Sequence, residues 1–374
     1  MKILIVLTYY TPYMSGVTEY ARMLAEDLAG RHDVTVLTTQ HDSSLPNEQV
    51  VGGVRVIRSP VFARLHKGVL SWRFIADFIR ISRHHDVINL HMPMLESGVL
   101  SLLVPSRKLV VNYQCDMAVV GGLVDKLAVT VTRLSCWLAT RRARDVGVIT
   151  HDYAASSDWL KAVRYKQHEV LAPMKDMPFL DAEAAADGVF RFGFVGRFVA
   201  EKGLPVLLDA FADVHRRYGD RVRLVLVGDT HNVAGGSVMD SIHGSIQALG
   251  SAAEVRGRVS EDELRRFYAE LDVLVLPSVN RYEAFGMVQL EAMLSGAQVI
   301  SSDLPGVRTI VQNTGNGEVV PRSDARALAD AMERMIVQHG SRTRAQVRDQ
   351  TLHAYPLRRF FELQEDMLLS ATHG

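Results

Sequence analysis

The sequence predicts an α/β protein with two doubly wound domains, each built on a parallel β-sheet covered by helices. Three observations predict this architecture. Short apolar segments alternate with amphipathic helical segments from the first residue onward. The alternation weakens once, at residues 173–188, and then resumes. The chain has 374 residues, which is enough for two domains of ordinary size.

The first domain is predicted to span residues 1–175. Residues 16–31 have apolar side chains at helical spacing, and Gly30 is expected to end that helix. Strands connected by such helices pair in parallel and are buried on both faces. The expected strands are residues 3–7, 33–39, 86–91, 108–114 and 145–150.

A linker is predicted at residues 176–188, and the second domain at residues 189–350 repeats the pattern. The C-terminal segment 351–374 contains a helix at about 356–370 that is expected to cross back onto the first domain. A crevice between two such domains is the default ligand site. The expected strands of the second domain are residues 190–196, 222–229, 253–259, 272–278 and 297–303, and its expected helices include 204–218, 260–270 and 286–295.

The composition limits the classes of function. The formal net charge is zero, which gives no case for a nucleic-acid partner. The two cysteines, Cys115 and Cys136, favour a reducing cytoplasm over a secreted disulfide framework. The first apolar segment is short for a signal peptide, and no segment approaches the ~20 apolar residues of a membrane span.

Positive charge is concentrated in the first part of the chain. Residues 1–150 carry 17 Lys and Arg against 12 Asp and Glu, a balance of +5. Residues 62–85 carry five of these cations, one acid, Trp72 and three phenylalanines, and residues 141–144 add more positive charge. This composition suits a helix lying on an anionic membrane surface, with the protein peripheral at the inner face of the membrane. The alternative is a helix packed on its own domain with a solvated basic face.

Two acidic residues flank the expected start of a helix. Glu283 and Glu291 are eight residues apart, and Gly286 lies between them. Backbone N–H groups at a helix start favour an anion, and a glycine allows a phosphate to approach closely. A nucleotide-sugar would fit with its pyrophosphate at Gly286, its ribose at Glu291 and its sugar at Glu283. Alternatively, both acids are ordinary surface residues.

Two cations follow the first strand of the second domain. Arg197 and Lys202 lie beside Gly196 and Gly203 at the expected carboxyl end of that strand. This arrangement suits a diphosphate, whose charge the cations would neutralise as it departs. Alternatively, both are solvated loop charges.

Together, "GRFVAEKG" at residues 196–203 and "EAFGMVQLE" at residues 283–291 resemble glycosyltransferase family 4. The resemblance extends over nearly the whole chain. It implies the GT-B fold and a retaining transfer of a hexose from a nucleoside diphosphate sugar. It also implies that the two domains close over this donor. The histidines show no zinc-like spacing and no Asp-x-Asp pair has a convincing metal context, so we expect the transfer to be metal-independent. The base, the hexose and the acceptor stay open; a lipid-linked glycan of an envelope polysaccharide is one candidate acceptor.

The resemblance also implies roles for individual residues. Arg197 and Lys202 match the diphosphate-binding pair, Glu283 the glutamate near the donor hexose, and Glu291 the glutamate on the ribose. The remaining donor-binding positions are the phosphate-contacting turn, a glycine of the first-domain loop and the residues beside the base. They correspond to Phe285, Gly286 and Met287, to Gly16, and to Arg258 and Val259 respectively.

One departure from the family lies on the acceptor side. Family members often have a histidine where this chain has Gln114, with Asp116 two residues further on. Glutamine cannot take a proton. His91, at the end of another strand, could orient the acceptor, substitute for that histidine or simply make a structural hydrogen bond. Gln114 therefore keeps a non-catalytic sugar-nucleotide-binding partner as an alternative, and a nucleotide-sugar epimerase is another because it would share the two-domain architecture.

Overall fold

The computed structural model divides into two compact units, residues Met1–Pro173 with Arg358–Gly374 and residues Met174–Leu357. Each unit is built on a parallel sheet covered by helices, so the predicted α/β class is confirmed. Most of the predicted linker, residues 176–188, lies outside the described part of the chain. The structure describes residues 1–13, 15–65, 68–117, 122–174, 177, 179, 187–230 and 236–372.

The first unit has an eight-stranded sheet and a two-stranded hairpin. Its strands are β1 (Lys2–Val6), β2 (Asp33–Thr39), β3 (Glu48–Val51), β4 (Val54–Ser59), β5 (Ala63–Leu65), β6 (Gly68–Leu70), β7 (Val87–Met92), β8 (Leu109–Tyr113), β9 (Asp145–Val148) and β10 (Gln167–Glu169). The sheet order is β10-β9-β8-β7-β1-β2-β4-β3, and only β3 pairs antiparallel. The chain order therefore reverses between β7 and β1, which marks the point where α/β sheets bind ligands.

Helices cover both faces of this sheet. They are α1 (Gly16–Ala29), α2 (Trp72–Ser82), α3 (Ser97–Leu102), α4 (Leu123–Arg142), α5 (His151–Ser156) and α6 (Asp158–Lys161). Serine side chains cap the first two: Ser15 Oγ accepts from Thr18 N at 3.2 Å, and Ser71 Oγ accepts from Phe74 N at 3.1 Å. Among the described residues, no helix has the length and apolar character needed to cross a membrane.

Residues 62–85 do not form the single helix that their composition suggested. The hairpin β5–β6 comes first, and α2 begins only after the cap at Ser71. The helix buries Phe74, Phe78 and Ile81 within its own unit. The alternative of a helix packed on its own domain therefore describes α2.

The C-terminal helix, α14 (Arg359–Ser370), belongs to the first unit. Met367 and Leu368 join the apolar core formed with β1. Gln364 is fully buried, where its Oε1 accepts from Asn112 Nδ2 at 3.0 Å and its Nε2 donates to Tyr20 OH. These buried polar groups satisfy one another, so they fix the position of α14 as well as its burial.

The second unit has a six-stranded, wholly parallel sheet. Its strands are β11 (Phe190–Val195), β12 (Val222–Val227), β13 (Ala253–Gly257), β14 (Val273–Leu276), β15 (Gln298–Ser302) and β16 (Gly317–Val320). The sheet order is β13-β12-β11-β14-β15-β16, so the order reverses between β11 and β14. Its helices are α7 (Leu204–Tyr218), α8 (Met239–Leu249), α9 (Glu261–Glu270), α10 (Val288–Leu294), α11 (Arg308–Thr314), α12 (Ala325–Val337) and α13 (Arg344–Ala354).

The second unit continues past residue 350, where the sequence placed its end. The boundary falls after Leu357 because α13 remains part of this unit. Arg344 fixes the start of α13 by donating from Nη1 to Leu271 O at 2.7 Å and from Nη2 to Ser295 O at 2.6 Å. Buried Asn316 holds the middle of the helix, because its Nδ2 donates to Val347 O at 2.8 Å.

Candidate functional site

The loops that follow β11 and β14 meet at the switch point of the second sheet. Because both strands are parallel neighbours, their carboxyl ends lie at the same edge. The loop after β11 contains Arg197 and Lys202, and the loop after β14 contains Glu283. The structure therefore brings together residues that are about 80 positions apart in the sequence.

Gly203 allows the loop after β11 to pack closely against the loop after β14. Gly203 has a φ of +70°, and a Cβ at this position would lie 2.1 Å from the backbone oxygen of Pro277. Beside it, Val279 N donates to Glu201 O at 2.9 Å. Only glycine allows this approach, so Gly203 sets the position of Lys202, the residue before it.

Lys202 and Glu283 form an ion pair between their Nζ and Oε2 atoms. Their side chains are 17% and 15% exposed, and Ser278 Oγ also donates to Glu283 Oε2 at 3.3 Å. Arg197 is more accessible, with 45% of its side chain exposed and its Nη2 3.5 Å from Glu201 Oε1. The site therefore combines a sheltered cation, an accessible cation and a carboxylate.

The turn before α10 is packed more tightly than the sequence suggested. The helix begins at Val288, two residues after Gly286. Gly286 has a φ of +79°, and a Cβ there would lie 2.5 Å from Leu276 Cδ2 and 2.8 Å from Gln289 Nε2. Gln289 Nε2 in turn donates to Phe285 O at 3.0 Å. The left-handed backbone favours glycine at this position by itself. The approach of a phosphate, for which the sequence argument used this glycine, stays a prediction.

Glu291 lies in the first turn of α10, where Tyr268 OH donates to its Oε2 at 2.7 Å. Tyr268 is fully buried, and its burial, together with the charge of Glu291, raises the pKa of the phenol well above 10. The phenol therefore stays protonated and keeps donating to the carboxylate. Arg258 and Val259 follow β13, two strands away from β11, and Arg258 is exposed.

The first unit places a neutral pair at its own switch point. His91 lies at the end of β7 and Gln114 follows β8; both side chains are buried. Gln114 Nε2 donates to His91 Nδ1 at 2.9 Å. Burial lowers the pKa of His91 to about 3, so the ring is neutral at physiological pH and carries its proton on Nε2. The basic nitrogen is thus already engaged, which does not suit His91 to the role of a base.

Asp116 and Gly16 lie elsewhere in the same unit. Tyr113 OH donates to Asp116 Oδ1 at 2.5 Å, and Asp116 N donates to Tyr153 OH at 2.7 Å. Gly16 is the first residue of α1, its φ is outside the left-handed region, and a Cβ there would meet nothing within 4 Å. The sequence placed Gly16 in a loop of the first domain, whereas it begins a helix, where the backbone does not require a glycine.

Sequence reasoning missed an aromatic cluster after β1 and β2. The rings of Tyr9 and Tyr13 stack with centroids 4.5 Å apart, and His41 meets Tyr13 edge-on at 5.5 Å. They line an open depression of about 510 Å³. Buried Arg58 supports this loop by donating from Nη2 to Thr11 O at 2.9 Å. The tyrosine-rich segment after the first strand was the signal in the sequence.

No group of three or more acidic, histidine or cysteine side chains in the described part of the chain could hold a metal ion. The site in the second unit contains the two cations Arg197 and Lys202. These cations can neutralise an anionic ligand directly.

Two family models match the chain. The model described as "Glycosyl transferase 4-like domain" matches residues 15–173, and the one described as "Glycosyl transferases group 1" matches residues 189–338. Together they cover most of both units.

Similar proteins agree with these matches. The phosphatidyl-myo-inositol mannosyltransferase of Mycobacterium tuberculosis is 28% identical over 352 residues, covering 89% of this chain and 86% of that protein. The O-antigen chain mannosyltransferase C of Escherichia coli is 26% identical over 343 residues, covering 88% and 86%. The structure of Anabaena Alr3699/HepE in complex with UDP has a TM-score of 0.75 at 19% identity, covering 99% of this chain and all of that one. The chain belongs to glycosyltransferase family 4 and has the GT-B fold of these glycosyltransferases.

Proposed function

We propose that the protein transfers a hexose from a nucleoside diphosphate sugar, whose diphosphate binds where the loops after β11 and β14 meet. The observation that carries this proposal is the Lys202–Glu283 ion pair at the switch point of the second sheet. A lysine ammonium has three hydrogen-bond donors. Lys202 can therefore bind a phosphate oxygen while it still contacts Glu283. Arg197 supplies a second cation from the same loop.

The two glutamates hold the two ends of the donor. Glu283 accepts hydrogen bonds from hydroxyls of the hexose, and Glu291, supported by Tyr268, accepts them from the ribose. The UDP complex of the Anabaena neighbour supports a nucleoside diphosphate as the ligand. The family resemblance assigns the backbone of residues 285–287 to the phosphates, Arg258 and Val259 to the base, and Gly16 to the donor from the first unit.

Transfer retains the configuration of the anomeric carbon. The bond from this carbon to the diphosphate oxygen breaks while the acceptor oxygen bonds on the same face. The proton of the acceptor hydroxyl passes to the departing phosphate oxygen, so no protein base is required. Arg197 and Lys202 stabilise the charge on the leaving group, and no metal is needed. The neutral His91–Gln114 pair fits this scheme because it orients groups without taking a proton.

The acceptor is a lipid-linked glycan in envelope polysaccharide synthesis. The named activities of the mycobacterial and Escherichia coli relatives support an acceptor of this class. The rings of Tyr9 and Tyr13 present apolar faces against which a sugar of the acceptor can pack. Gln114 and Asp116 contribute polar groups to the acceptor side of the first unit.

A thermal-shift experiment tests the donor site. GDP and UDP are added separately to the wild-type protein, and the cognate diphosphate raises the melting temperature because it binds only the folded state. The variant Lys202→Ala loses this shift. The matched control Arg217→Ala, which removes a surface ion pair with Glu333 in the same unit, keeps it. Equal shifts in the wild type and Lys202→Ala would rule out the site.

A product analysis tests the reaction. The protein is incubated with the nucleotide-sugar identified by the donor screen and a lipid-linked glycan, and NMR of the product gives the anomeric configuration. We expect the product to have the anomeric configuration of the donor. The rate of transfer should not change when a chelator is added. An inverted product would eliminate the same-face mechanism. Epimerised donor without transfer, or donor binding without turnover, would eliminate the transferase activity.

A further inference from the structure

The carboxylate of Glu283 lies directly beside the cation that is proposed to bind the diphosphate. Its Oε2 forms the ion pair with Lys202 Nζ, and Ser278 Oγ donates to the same oxygen at 3.3 Å. Ser278 is fully buried, so its hydroxyl holds this oxygen from the protein side. The other oxygen, Oε1, can then accept hydrogen bonds from hydroxyls of the hexose.

This arrangement brings a bound phosphate close to a negative charge. Charge-assisted hydrogen bonds to an ammonium are about 2.8 Å long, so a phosphate oxygen on Lys202 would lie about 5 Å from Glu283 Oε2. The side chains of Lys202 and Glu283 are mostly sheltered from solvent, which weakens the screening between the carboxylate and the phosphate. Glu283 therefore opposes the binding of any phosphate at Lys202.

The donor and the nucleoside diphosphate that leaves after transfer differ at this position in two ways. The donor has a hexose whose hydroxyls can donate to Glu283, and the leaving diphosphate has none. The leaving diphosphate also carries about one more negative charge at neutral pH, because its terminal phosphate has one further ionisable oxygen. Glu283 is therefore compensated by the donor, whereas it only repels the product.

We propose that Glu283 is a specificity-determining residue that favours the nucleotide-sugar over the nucleoside diphosphate and so speeds the release of this product. Lys202 binds a phosphate of both ligands, and the charge of Glu283 weakens the binding of the product. This inference rests on the proposed function, because it places the diphosphate at Lys202. It also goes beyond that function: a carboxylate that only held the hexose could be replaced without changing the affinity for the bare diphosphate.

Calorimetric titration of the full chain tests this role. The ligands are UDP, GDP and the corresponding nucleotide-sugars, the latter in the absence of an acceptor. Glu283→Gln keeps the size of the side chain and removes its charge, so it should bind the cognate diphosphate about tenfold more tightly than the wild type does. It should not bind the nucleotide-sugar more tightly, because the amide loses the charge-assisted hydrogen bonds to the hexose.

The matched control is Glu333→Gln, which removes a carboxylate from the surface ion pair with Arg217 in the same unit. Its affinities for both ligands should stay within about twofold of the wild type. Glu283→Ala is a second neutral variant, and it should also bind the cognate diphosphate more tightly and release it more slowly in stopped-flow displacement. Damage to the site would weaken binding, so a gain of affinity reports the lost charge.

The titrations separate this inference from the donor site itself. Unchanged or weaker binding of the cognate diphosphate in both Glu283 variants would overturn the inference. An equal gain for the diphosphate and the nucleotide-sugar would do the same. If Lys202→Ala lost diphosphate binding in either of these cases, the proposed donor site would still stand. Full diphosphate binding by Lys202→Ala would overturn the donor site and this inference together.

Discussion

Both units place polar side chains at the carboxyl ends of parallel strands beside the point where strand order reverses, yet the two clusters differ in charge. In the second unit, Lys202 and Glu283 form a partly accessible ion pair. In the first unit, His91 and Gln114 form a neutral hydrogen bond in a buried setting. The two units share the strand arrangement at this point, but they carry different side chains there.

This difference shows that strand topology supplies a position and leaves the chemistry to the loops. The ammonium of Lys202 has further hydrogen-bond donors for a diphosphate. The buried neutral pair of His91 and Gln114 can only orient a neighbouring group. The proposed donor site should therefore respond strongly to changes of charge. The first cluster should respond mainly to changes of pH and packing.

The largest expected effect follows from breaking the Lys202–Glu283 ion pair. Lys202→Ala or Glu283→Ala should lower kcat/KM for transfer by about 10²–10³, because each removes an interaction with the donor and leaves the other charge unpaired in a sheltered site. Steady-state kinetics with the identified donor measure this loss, and circular dichroism checks the fold.

The control for this prediction is an ion pair outside the switch point. Arg217→Ala, which breaks the surface pair with Glu333, should leave kcat/KM within about twofold of the wild type, because exposed ion pairs contribute little. If Lys202→Ala behaved like this control, the charged cluster would be no more than a structural contact between two loops.

A smaller loss of transfer should follow when the loops of the same cluster are pushed apart. Gly203→Ala combines a left-handed backbone with a Cβ that would lie 2.1 Å from Pro277 O. We expect a roughly tenfold loss of kcat/KM and a stability loss above the ~1–2 kcal/mol of left-handed strain alone. Gly315→Ala is the matched control: its φ is +65°, and its Cβ would meet only Arg342 Nη1 at 4.0 Å.

The control variant should show the strain cost alone, with unchanged kinetics. Chemical denaturation gives both free energies of unfolding. Equal costs for the two alanines would mean that the loop contact at Pro277 can relax freely, and the tight coupling of the two loops would be incorrect.

The contrast between the units also explains what the sequence could and could not predict. Continuous apolar segments, such as residues 33–39, predicted their strands because a parallel strand is buried on both faces. The helix at residues 204–218 was predicted with its observed bounds because its apolar residues recur at helical spacing. The hairpin before α2 was not predicted, since its few residues have no periodicity to detect.

Contacts between distant loops were harder to predict than elements. The sequence indicated Lys202 and Glu283 as separate ligands, but their mutual ion pair depends on the strand order, which a sequence pattern does not contain. The engagement of His91 by Gln114 likewise depends on the register of β7 and β8. Gly286 was noticed for its place in a motif, and its left-handed backbone, with a φ of +79°, became visible only in three dimensions.

A pH experiment tests the neutral cluster. The pKa of His91 is about 3 in the folded protein, below the ~6.5 of an unfolded histidine. The unfolded state therefore binds the extra proton, so stability is complete above pH ~6.5 and is lost as pH falls towards 3. The slope contributed by His91 is at most about 1.4 kcal/mol per pH unit. Urea unfolding between pH 7 and 4.5, about two units below the unfolded pKa, measures it.

The variant His91→Asn should flatten this slope, because its amide oxygen can still accept from Gln114 but does not titrate. Replacing the exposed His243 with asparagine controls for the loss of a histidine as such. His85, whose pKa burial also lowers, adds a slope of the same sign to every protein in the series. Parallel curves for the wild type and His91→Asn would mean that His91 is charged in the folded state and that the two clusters are not as different as described.

The smallest expected effect concerns Glu291, the glutamate proposed to bind the ribose. Tyr268→Phe removes one hydrogen bond to Glu291 without removing either charge. Losing about 1 kcal/mol corresponds to a roughly fivefold higher KM for the donor, with kcat unchanged, because the ribose is held equally in the ground and transition states. Tyr218→Phe is the control, since the contact of its ring with Arg221 does not use the hydroxyl. A fall in kcat at constant KM would instead place Glu291 near the reacting atoms and away from the ribose.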